Sequence, residues 1–182
     1  MIDLLSARRR RDIIDYIYQQ AERLVRRFGT RDPFEIARCL EIDVMFRDDF
    51  NQLKGMYAIL KRQRFIFINA NLPEQLCRLI CAHELGHDQL HQDLAMNEAL
   101  KEFTLMDMSS RPENEANTYA AHVLLDEGQI LELAGFDYDI WQIAGELGEV
   151  VDILLVKMRE MNKKGCNINI PYVPPSDFLR RK

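Results

Sequence analysis

Two histidines four residues apart constrain this chain more than any other feature of its sequence. They are His83 and His87 in the run CAHELGH, and Glu84 directly follows the first. Positions four apart on an α-helix differ by about 40° in azimuth, so both imidazoles can reach one metal ion from the same face. Glu84 is rotated by about 100° from His83, which suits a carboxylate that holds a water beside the ion. The spacing therefore predicts a helix that carries a metal site.

The surroundings of the pair support this interpretation. Leu76, Leu79, Ile80 and Leu90 share the helix face of the two histidines, so the rings are expected to be partly buried. Buried imidazoles need a polar partner, and a metal ion supplies one. The alternative is a pair of core histidines that bond to backbone carbonyls. Gly86 costs about 1 kcal/mol relative to alanine inside a helix, which predicts a close approach of another backbone there.

A catalytic zinc ion needs a third protein ligand and an open position for water. The candidates are His91, Glu113, Glu115 and His122. His91 is about 12 Å from His83 along the helix axis, too far to share the ion, and is expected to support a ligand or end the helix. The glycine and histidine offsets of the metzincin pattern are missing.

Glu113 is the preferred third ligand. Its helix face carries Ala116, Asn117 and Ala120, small enough for close packing on the first helix, and Asn117 is expected to support the ligands. The face of Glu115, with Tyr119 and His122, is expected to be solvated. Two alternatives remain open: Glu113 can instead form a capping box with Ser110, and Glu115 can be the ligand.

Composition points to an ordinary globular protein. The 182 residues carry a formal charge of −5 and are 47% apolar and 29% charged. No run approaches the roughly 18 apolar residues of a membrane helix, and the basic N-terminal run follows an apolar patch, the reverse of a secretory signal. Four scattered cysteines do not suggest a disulfide framework. The expected location is the cytoplasm, with no membrane partner.

Apolar periodicity predicts an α+β fold that is mainly helical with a small three-stranded sheet. The His-Glu-x-x-His motif resembles that of zincins, which implies that the sheet packs on the histidine helix. Asp32 and Pro33 are expected to start a short helix. We expect a core over 1–135, with N-terminal helices, and a helical C-terminal subregion over 136–182 packed on it. The predicted helices cover 6–28, 32–40, 73–92, 97–105, 112–126, 127–134, 139–146 and 149–163, and the predicted strands 44–46, 55–60 and 65–69.

Residues 140–162 have the layout of a helix-turn-helix. A helix that reads DNA should be basic at its exposed N-terminal end, but Glu149 and Asp152 make this one acidic. We therefore expect packing or partner docking here, and direct nucleic-acid binding is not expected.

The motifs resemble those of the ImmA/IrrE family of metallopeptidases. That family is known for His-Glu-Leu-Gly-His and a later Glu-x-x-Ala-Asn-x-Phe-Ala-Ala-x-Leu-Leu helix; this chain has HELGH at 83–87 and ENEANTYAAHVLL at 113–125. The resemblance spans about residues 30 to 126. Tyr119 replaces the phenylalanine, Val123 is one extra residue, and Asp126 stands where the family has Met-Pro. The resemblance implies His83, His87 and Glu113 as ligands of one Zn²⁺ per chain and Glu84 as the catalytic base.

The expected function is zinc-dependent hydrolysis of a peptide bond in a protein. By the resemblance, the substrate is a helix-turn-helix repressor of a mobile element, phage or stress regulon. The alternative is a non-proteolytic antirepressor with a structural zinc. The strand at 65–69 is predicted to be a sheet edge that binds extended substrate, through Phe65, Ile66 and Phe67, with help from Tyr57. The alternative is an internal or self-paired strand. Candidate oxyanion donors are Tyr57, Tyr119 and His122.

Overall fold

The computed structural model describes residues 16–93 and 111–172. It is mainly helical with one three-stranded sheet, which confirms the predicted α+β class. The predicted helix at 97–105, the Ser110 cap and the first part of the 6–28 helix lie outside the described residues. The elements are α1 (16–28), α2 (Pro33–Cys39), β1 (Asp43–Arg47), β2 (Gly55–Leu60), β3 (Gln63–Asn69), α3 (Glu74–Leu90), α4 (Arg111–Leu124), α5 (Glu127–Gly135), α6 (Ile140–Leu147) and α7 (Val151–Lys163).

Strand β3 occupies the centre of the sheet. The order is β1-β3-β2, with β1 parallel and β2 antiparallel to β3. Phe65 pairs with Asp43 on one side and Ala58 on the other. The prediction that 65–69 is an edge strand is therefore wrong, because its backbone groups already serve two neighbours. Among the described residues, β2 and β1 are the edges.

The two faces of the sheet differ. Ile66 and Ile68 are fully buried, and Tyr57 and Gly55 lie opposite them on β2, so these four side-chain positions share the face that meets α3. Alternation along a strand sends Phe65 and Phe67 to the other face, where their rings stack 5.8 Å apart. The face that meets α3 is the one that positions the helix with His83 and His87.

Helix α3 lies between the sheet and α4, and α7 packs on the far side of α4. A single apolar core joins residues of every layer, including Ile66, Leu85, Ala120 and Leu154. The C-terminal helices thus contact the core directly, while the boundary at residue 135 stays a prediction. None of the helices in the described part of the chain has the length and apolar character needed to cross a bilayer.

Helix ends follow local chemistry. Asp32 accepts a hydrogen bond from the amide of Phe34, with Pro33 at the first position of α2, as the sequence predicts. Gly148 adopts a left-handed conformation between α6 and α7, so these helices do form a helix-turn-helix layout. However, α7 is almost wholly buried, including Lys157, so it cannot insert into a DNA groove in this packing.

Candidate metal centre

Three side chains from two helices converge on one point. His83 and His87 project from α3, and Glu113 projects from the first turn of α4. Nε2 of His83 lies 3.1 Å from Nε2 of His87. Glu113 places Oε2 3.2 Å from Nε2 of His83 and Oε1 3.4 Å from Nε2 of His87. The structure therefore brings together the preferred ligand set in a group that can hold a metal ion.

These spacings fit a tetrahedral ion. Zinc binds imidazole nitrogen and carboxylate oxygen at about 2.0–2.1 Å, which places neighbouring donors of a tetrahedron about 3.3 Å apart. The observed separations bracket this value. Two neutral nitrogen donors and one carboxylate, with a fourth direction left to water, form the donor set of a catalytic rather than a structural zinc site.

Glu113 is held in the charged form that a ligand requires. Burial alone would raise the pKa of its carboxyl group, but the close approach of His83 and His87 outweighs burial and holds the pKa well below its usual range. His83 is 5% exposed, and its Nδ1 lies 2.9 Å from Oδ1 of Asn117 on α4. Since the amide oxygen can only accept, Nδ1 of His83 donates and its Nε2 is left free to face Glu113 and His87.

Glu84 lies between α3 and the edge strand β2. Its carboxylate is 7% exposed and accepts a hydrogen bond from the backbone N–H of Tyr57. Burial raises the pKa of Glu84, while the neighbouring His83 and His87 lower it only in part. Gly55 makes this approach possible, because a Cβ there would lie 3.1 Å from Oε1 of Glu84 and 2.2 Å from Cγ2 of Ile80. A buried carboxylate with a raised pKa is suited to accept a proton near neutral pH.

The close approach of α4 depends on Gly86. A Cβ at this position would lie 2.9 Å from Cα and 3.1 Å from the carbonyl oxygen of Ala116. The backbone approach that the sequence predicts at Gly86 is confirmed, and its partner is the alanine face of α4. This contact brings Glu113 to the two histidines.

Several other predicted residues make side-chain contacts with groups other than the three candidate ligands. The hydroxyl of Tyr57 donates to Oδ1 of Asp88 at 2.8 Å, and Tyr57 is 4% exposed, so a substrate contact through its ring stays a prediction. Tyr119 and His122 are fully buried, so the prediction of a solvated face is wrong. Nδ1 of His122 accepts from Nζ of Lys157 at 3.0 Å, within the contact between α4 and α7. Neither Tyr119 nor His122 can donate to a substrate in this packing.

The side chains of the predicted substrate strand, β3, are also not exposed along a sheet edge. Phe65 and Phe67 lie on the sheet face away from α3, and Ile66 is fully buried beneath α3. The basis for assigning these residues to substrate binding, an exposed edge, is therefore absent.

Sequence analysis missed Asp88, which follows the last histidine of the motif. Its carboxylate is fully buried and accepts hydrogen bonds from Tyr57 on β2 and from Arg64 on β3, at 3.1 Å for Nη1 of Arg64. It joins α3 to both strands of the hairpin. The only sequence signal was a charged residue directly after the His-Glu-x-x-His motif.

The fold and this group of side chains define a class of protein: a zincin-like α+β domain with two histidines and a glutamate on adjacent helices. The comparisons with known proteins agree. The model of the IrrE N-terminal-like domain, peptidase family M78, matches residues 37–157. The chain belongs to this ImmA/IrrE family of metallopeptidases.

A curated relative extends the comparison. The chain is 33% identical over 123 residues to a protein of Bacillus phage phi105 described as "Uncharacterized immunity region protein 2". The match covers 68% of this chain and 77% of the phage protein.

Proposed function

We propose that this chain is a zinc-dependent endopeptidase that hydrolyses a peptide bond in a protein substrate. The observation that carries the proposal is the triangle of donor atoms from His83, His87 and Glu113, with sides of 3.1–3.4 Å. Glu84 lies next to it on the same helix without being part of the triangle. Three ligands plus an adjacent free carboxylate are the residues that metal-assisted hydrolysis needs.

The residues divide the chemistry between them. His83, His87 and Glu113 would hold a zinc ion, which when bound lowers the pKa of water toward about 7 and polarises a carbonyl group. Glu84 accepts the proton of the attacking water and passes it to the leaving amine. Its burial supports this role, because a raised pKa brings the carboxylate nearer to the working pH.

The substrate would lie along β2 rather than β3. β2 is an edge of the sheet in the described part of the chain, and its Tyr57 N–H already contacts the Glu84 carboxylate. An extended peptide that adds to this edge would pass beside the base by main-chain pairing. The edge strand β2 thus contacts the proposed base Glu84, whereas β3, the predicted edge, lies at the centre of the sheet.

We further propose a helix-turn-helix repressor as the substrate. The support is the family and the description of the phage relative, which places that protein in an immunity region. Cleavage of a repressor is the way in which a peptidase of this family would act in an immunity region.

The first experiment measures metal. Elemental analysis of protein purified without a His-tag should give about one zinc per chain. His87→Ala and Glu113→Gln should each lose it, while Glu132→Gln, an exposed glutamate on α5, should keep it. No zinc in the wild type after incubation with Zn²⁺ would contradict the proposal.

The second experiment tests hydrolysis. Purified helix-turn-helix repressors from the same genome are incubated with the zinc-loaded protein, and new termini are identified by mass spectrometry. Glu84→Gln should retain zinc and abolish cleavage. If Glu84→Gln still inactivates the repressor without cleavage, the protein is a non-proteolytic antirepressor with a structural zinc.

A further inference from the structure

A chain of three contacts runs from the metal-ligating ring of His87 to the surface. Nδ1 of His87 lies 3.2 Å from Nδ1 of His91, and Nε2 of His91 lies 3.1 Å from Oε2 of Glu115. Nε of Arg111 then donates to Oε1 of Glu115 at 2.6 Å. The side chains of His91 and Glu115 are 8% and 19% exposed, whereas Arg111 is 71% exposed. The contacts cross from the end of α3 to the first turns of α4.

The direction of these hydrogen bonds follows from the ligand geometry. Nε2 of His87 faces His83 and Glu113, so in the proposed site this nitrogen binds the ion and the ring hydrogen is on Nδ1. Nδ1 of His87 must therefore donate, and Nδ1 of His91 must accept. The hydrogen of His91 is then on Nε2, where it donates to the Glu115 carboxylate, which can only accept. Each contact has one donor and one acceptor, without a conflict.

We propose that His91 and Glu115 are positioning residues that orient the ring of His87 and select the tautomer that binds the metal. The inference rests on the proposed metal site. Glu115, an alternative ligand on sequence grounds, would thus act through His91 and His87, since its contacts among the described residues are with His91 and Arg111. Asn117 accepts from Nδ1 of His83 in the same way as His91 accepts from Nδ1 of His87. Helix α4 thus supplies the proposed ligand Glu113 and also supports both histidines, through Asn117 and through Glu115.

A merely structural role gives a different expectation. His91 also ends α3, where its backbone N–H donates to the carbonyl of His87, and Glu115 and Arg111 form an i,i+4 pair on α4. If these residues only joined the two helices, their loss would lower the stability of the metal-free protein and leave the metal affinity of the folded protein unchanged. Partners that orient a ligating histidine instead change affinity by about 10–100-fold.

The test compares side chains at position 91. Wild-type His91 makes hydrogen bonds with both His87 and Glu115, and the variants keep one of these bonds or neither. In His91→Asn the amide oxygen stands close to the position of Nδ1, so it can accept from His87 but cannot reach Glu115. In His91→Leu both contacts are lost. We expect His91→Leu to weaken zinc binding by about 10–100-fold and His91→Asn by clearly less. Glu115→Ala should weaken it by up to about 10-fold, and not further when combined with His91→Leu.

Zinc affinity is measured by competition with a chromophoric chelator, and folding of each metal-free variant is checked by circular dichroism. Glu35→Ala, which removes an exposed i,i+3 partner of Arg38, is the matched control and should leave zinc affinity unchanged. If His91→Leu does not fold, His91→Asn and Glu115→Ala carry the test.

A spectroscopic readout addresses the tautomers directly. Two-bond ¹H–¹⁵N correlations of the zinc-loaded protein, labelled in its imidazoles, should place the hydrogen of His91 on Nε2 and that of His87 on Nδ1. A hydrogen on Nδ1 of His91, or unchanged zinc affinity in folded His91→Leu and Glu115→Ala, would overturn the inference and leave the metal site standing. A wild type that binds no zinc would instead refute the proposed function, and the inference with it.

Discussion

At the scale of single residues, Gly86 decides how near the third ligand can come. A side chain there would meet the backbone of Ala116 at 2.9 Å, and backbone atoms cannot move aside as a flexible side chain can. Gly86→Ala should push α4 away from α3 and Glu113 away from the histidines. We expect a net loss of about 1–2 kcal/mol in the free energy of unfolding, because crowding outweighs the gain of about 1 kcal/mol in helix propensity.

Urea denaturation of the metal-free protein measures this change, and chelator competition should show weaker zinc binding. Gly145→Ala is the matched control, since Gly145 is exposed on α6 and a Cβ there meets nothing within 4 Å. It should stabilise the protein by up to about 1 kcal/mol and leave zinc binding unchanged. Equal effects of the two variants would contradict the close-contact argument.

The sequence predicts some residues of the candidate site and not others. His83, Glu84 and His87 follow from spacing alone, since any helix places residues four apart on one face. Glu113 needed the alanine face of its helix and the family resemblance. Asp88 and the contact between His91 and Glu115 were not predictable, because each depends on which helix or strand lies opposite. Local periodicity does not contain that information.

At the scale of secondary-structure elements, Asp88 joins α3 to the β2–β3 hairpin. Its buried carboxylate accepts from Tyr57 and Arg64, and Arg64 also donates to the carbonyl of Leu40. Asp88→Asn removes the charge opposite Arg64 and should cost about 2 kcal/mol or more. Tyr57→Phe removes one hydrogen bond and should cost about 1 kcal/mol.

Both changes are measured by urea denaturation. The two variants should be less than additive when combined, since they share one contact. Wild-type stability in Asp88→Asn would show that the carboxylate is not needed to hold the hairpin on α3.

The two central residues of the turn between β2 and β3 are unfavourable for its backbone conformation. Lys61 and Arg62 both have positive φ, 50° and 69°, as in a type I′ turn. Asparagine and glycine favour this conformation, whereas long side chains are strained in it. The double change Lys61→Asn and Arg62→Gly should raise the free energy of unfolding by about 1 kcal/mol, with zinc affinity unchanged. A loss of stability on urea denaturation would contradict a strained turn.

The same hairpin shows why the edge strand was misassigned. Residues 55–60 and 65–69 are predicted as two strands, a local pattern that sequence resolves well. The pairing of β3 with β1 is parallel and involves residues about 20 positions apart, such as Val44 and Ile66. Alternation along β3 is the same whether one or both of its edges are paired. The sequence therefore could not identify the central strand.

At the scale of the whole molecule, the C-terminal helices are joined to the rest of the core by charged contacts as well as apolar ones. Lys157 on α7 is fully buried and donates to His122 on α4, and its Nζ lies 3.3 Å from Oε1 of Glu127. Arg78 on α3 reaches Glu149, in the turn between α6 and α7, at 3.8 Å. The four consecutive apolar residues at 153–156 indicate a helix buried on more than one side, which a helix-turn-helix interpretation overlooks.

Glu149 makes this attachment sensitive to pH. It is 4% exposed, and burial raises its pKa to about 7, with Arg78 opposing the rise only in part. An unfolded glutamate has a pKa near 4.5, so between about pH 4.5 and 7 the folded chain binds more protons at this site than the unfolded chain. The free energy of unfolding should therefore fall as the pH rises through this window. The contribution of Glu149 to this loss is at most about 3 kcal/mol.

Glu149→Gln removes the titrating group and keeps its shape, so the difference between variant and wild type isolates the contribution of Glu149. Near pH 5 the two proteins should have similar stability, because the wild-type side chain is neutral when folded. At pH 7.5 the variant should be the more stable one, since the wild type then carries a buried charge that Arg78 balances only in part. Urea denaturation at a series of pH values measures the difference, with the exposed Glu132→Gln as control. A difference that stays constant from pH 5 to 7.5 would mean that Glu149 ionises in the folded protein as readily as in the unfolded chain, and that Glu149 does not make this attachment sensitive to pH.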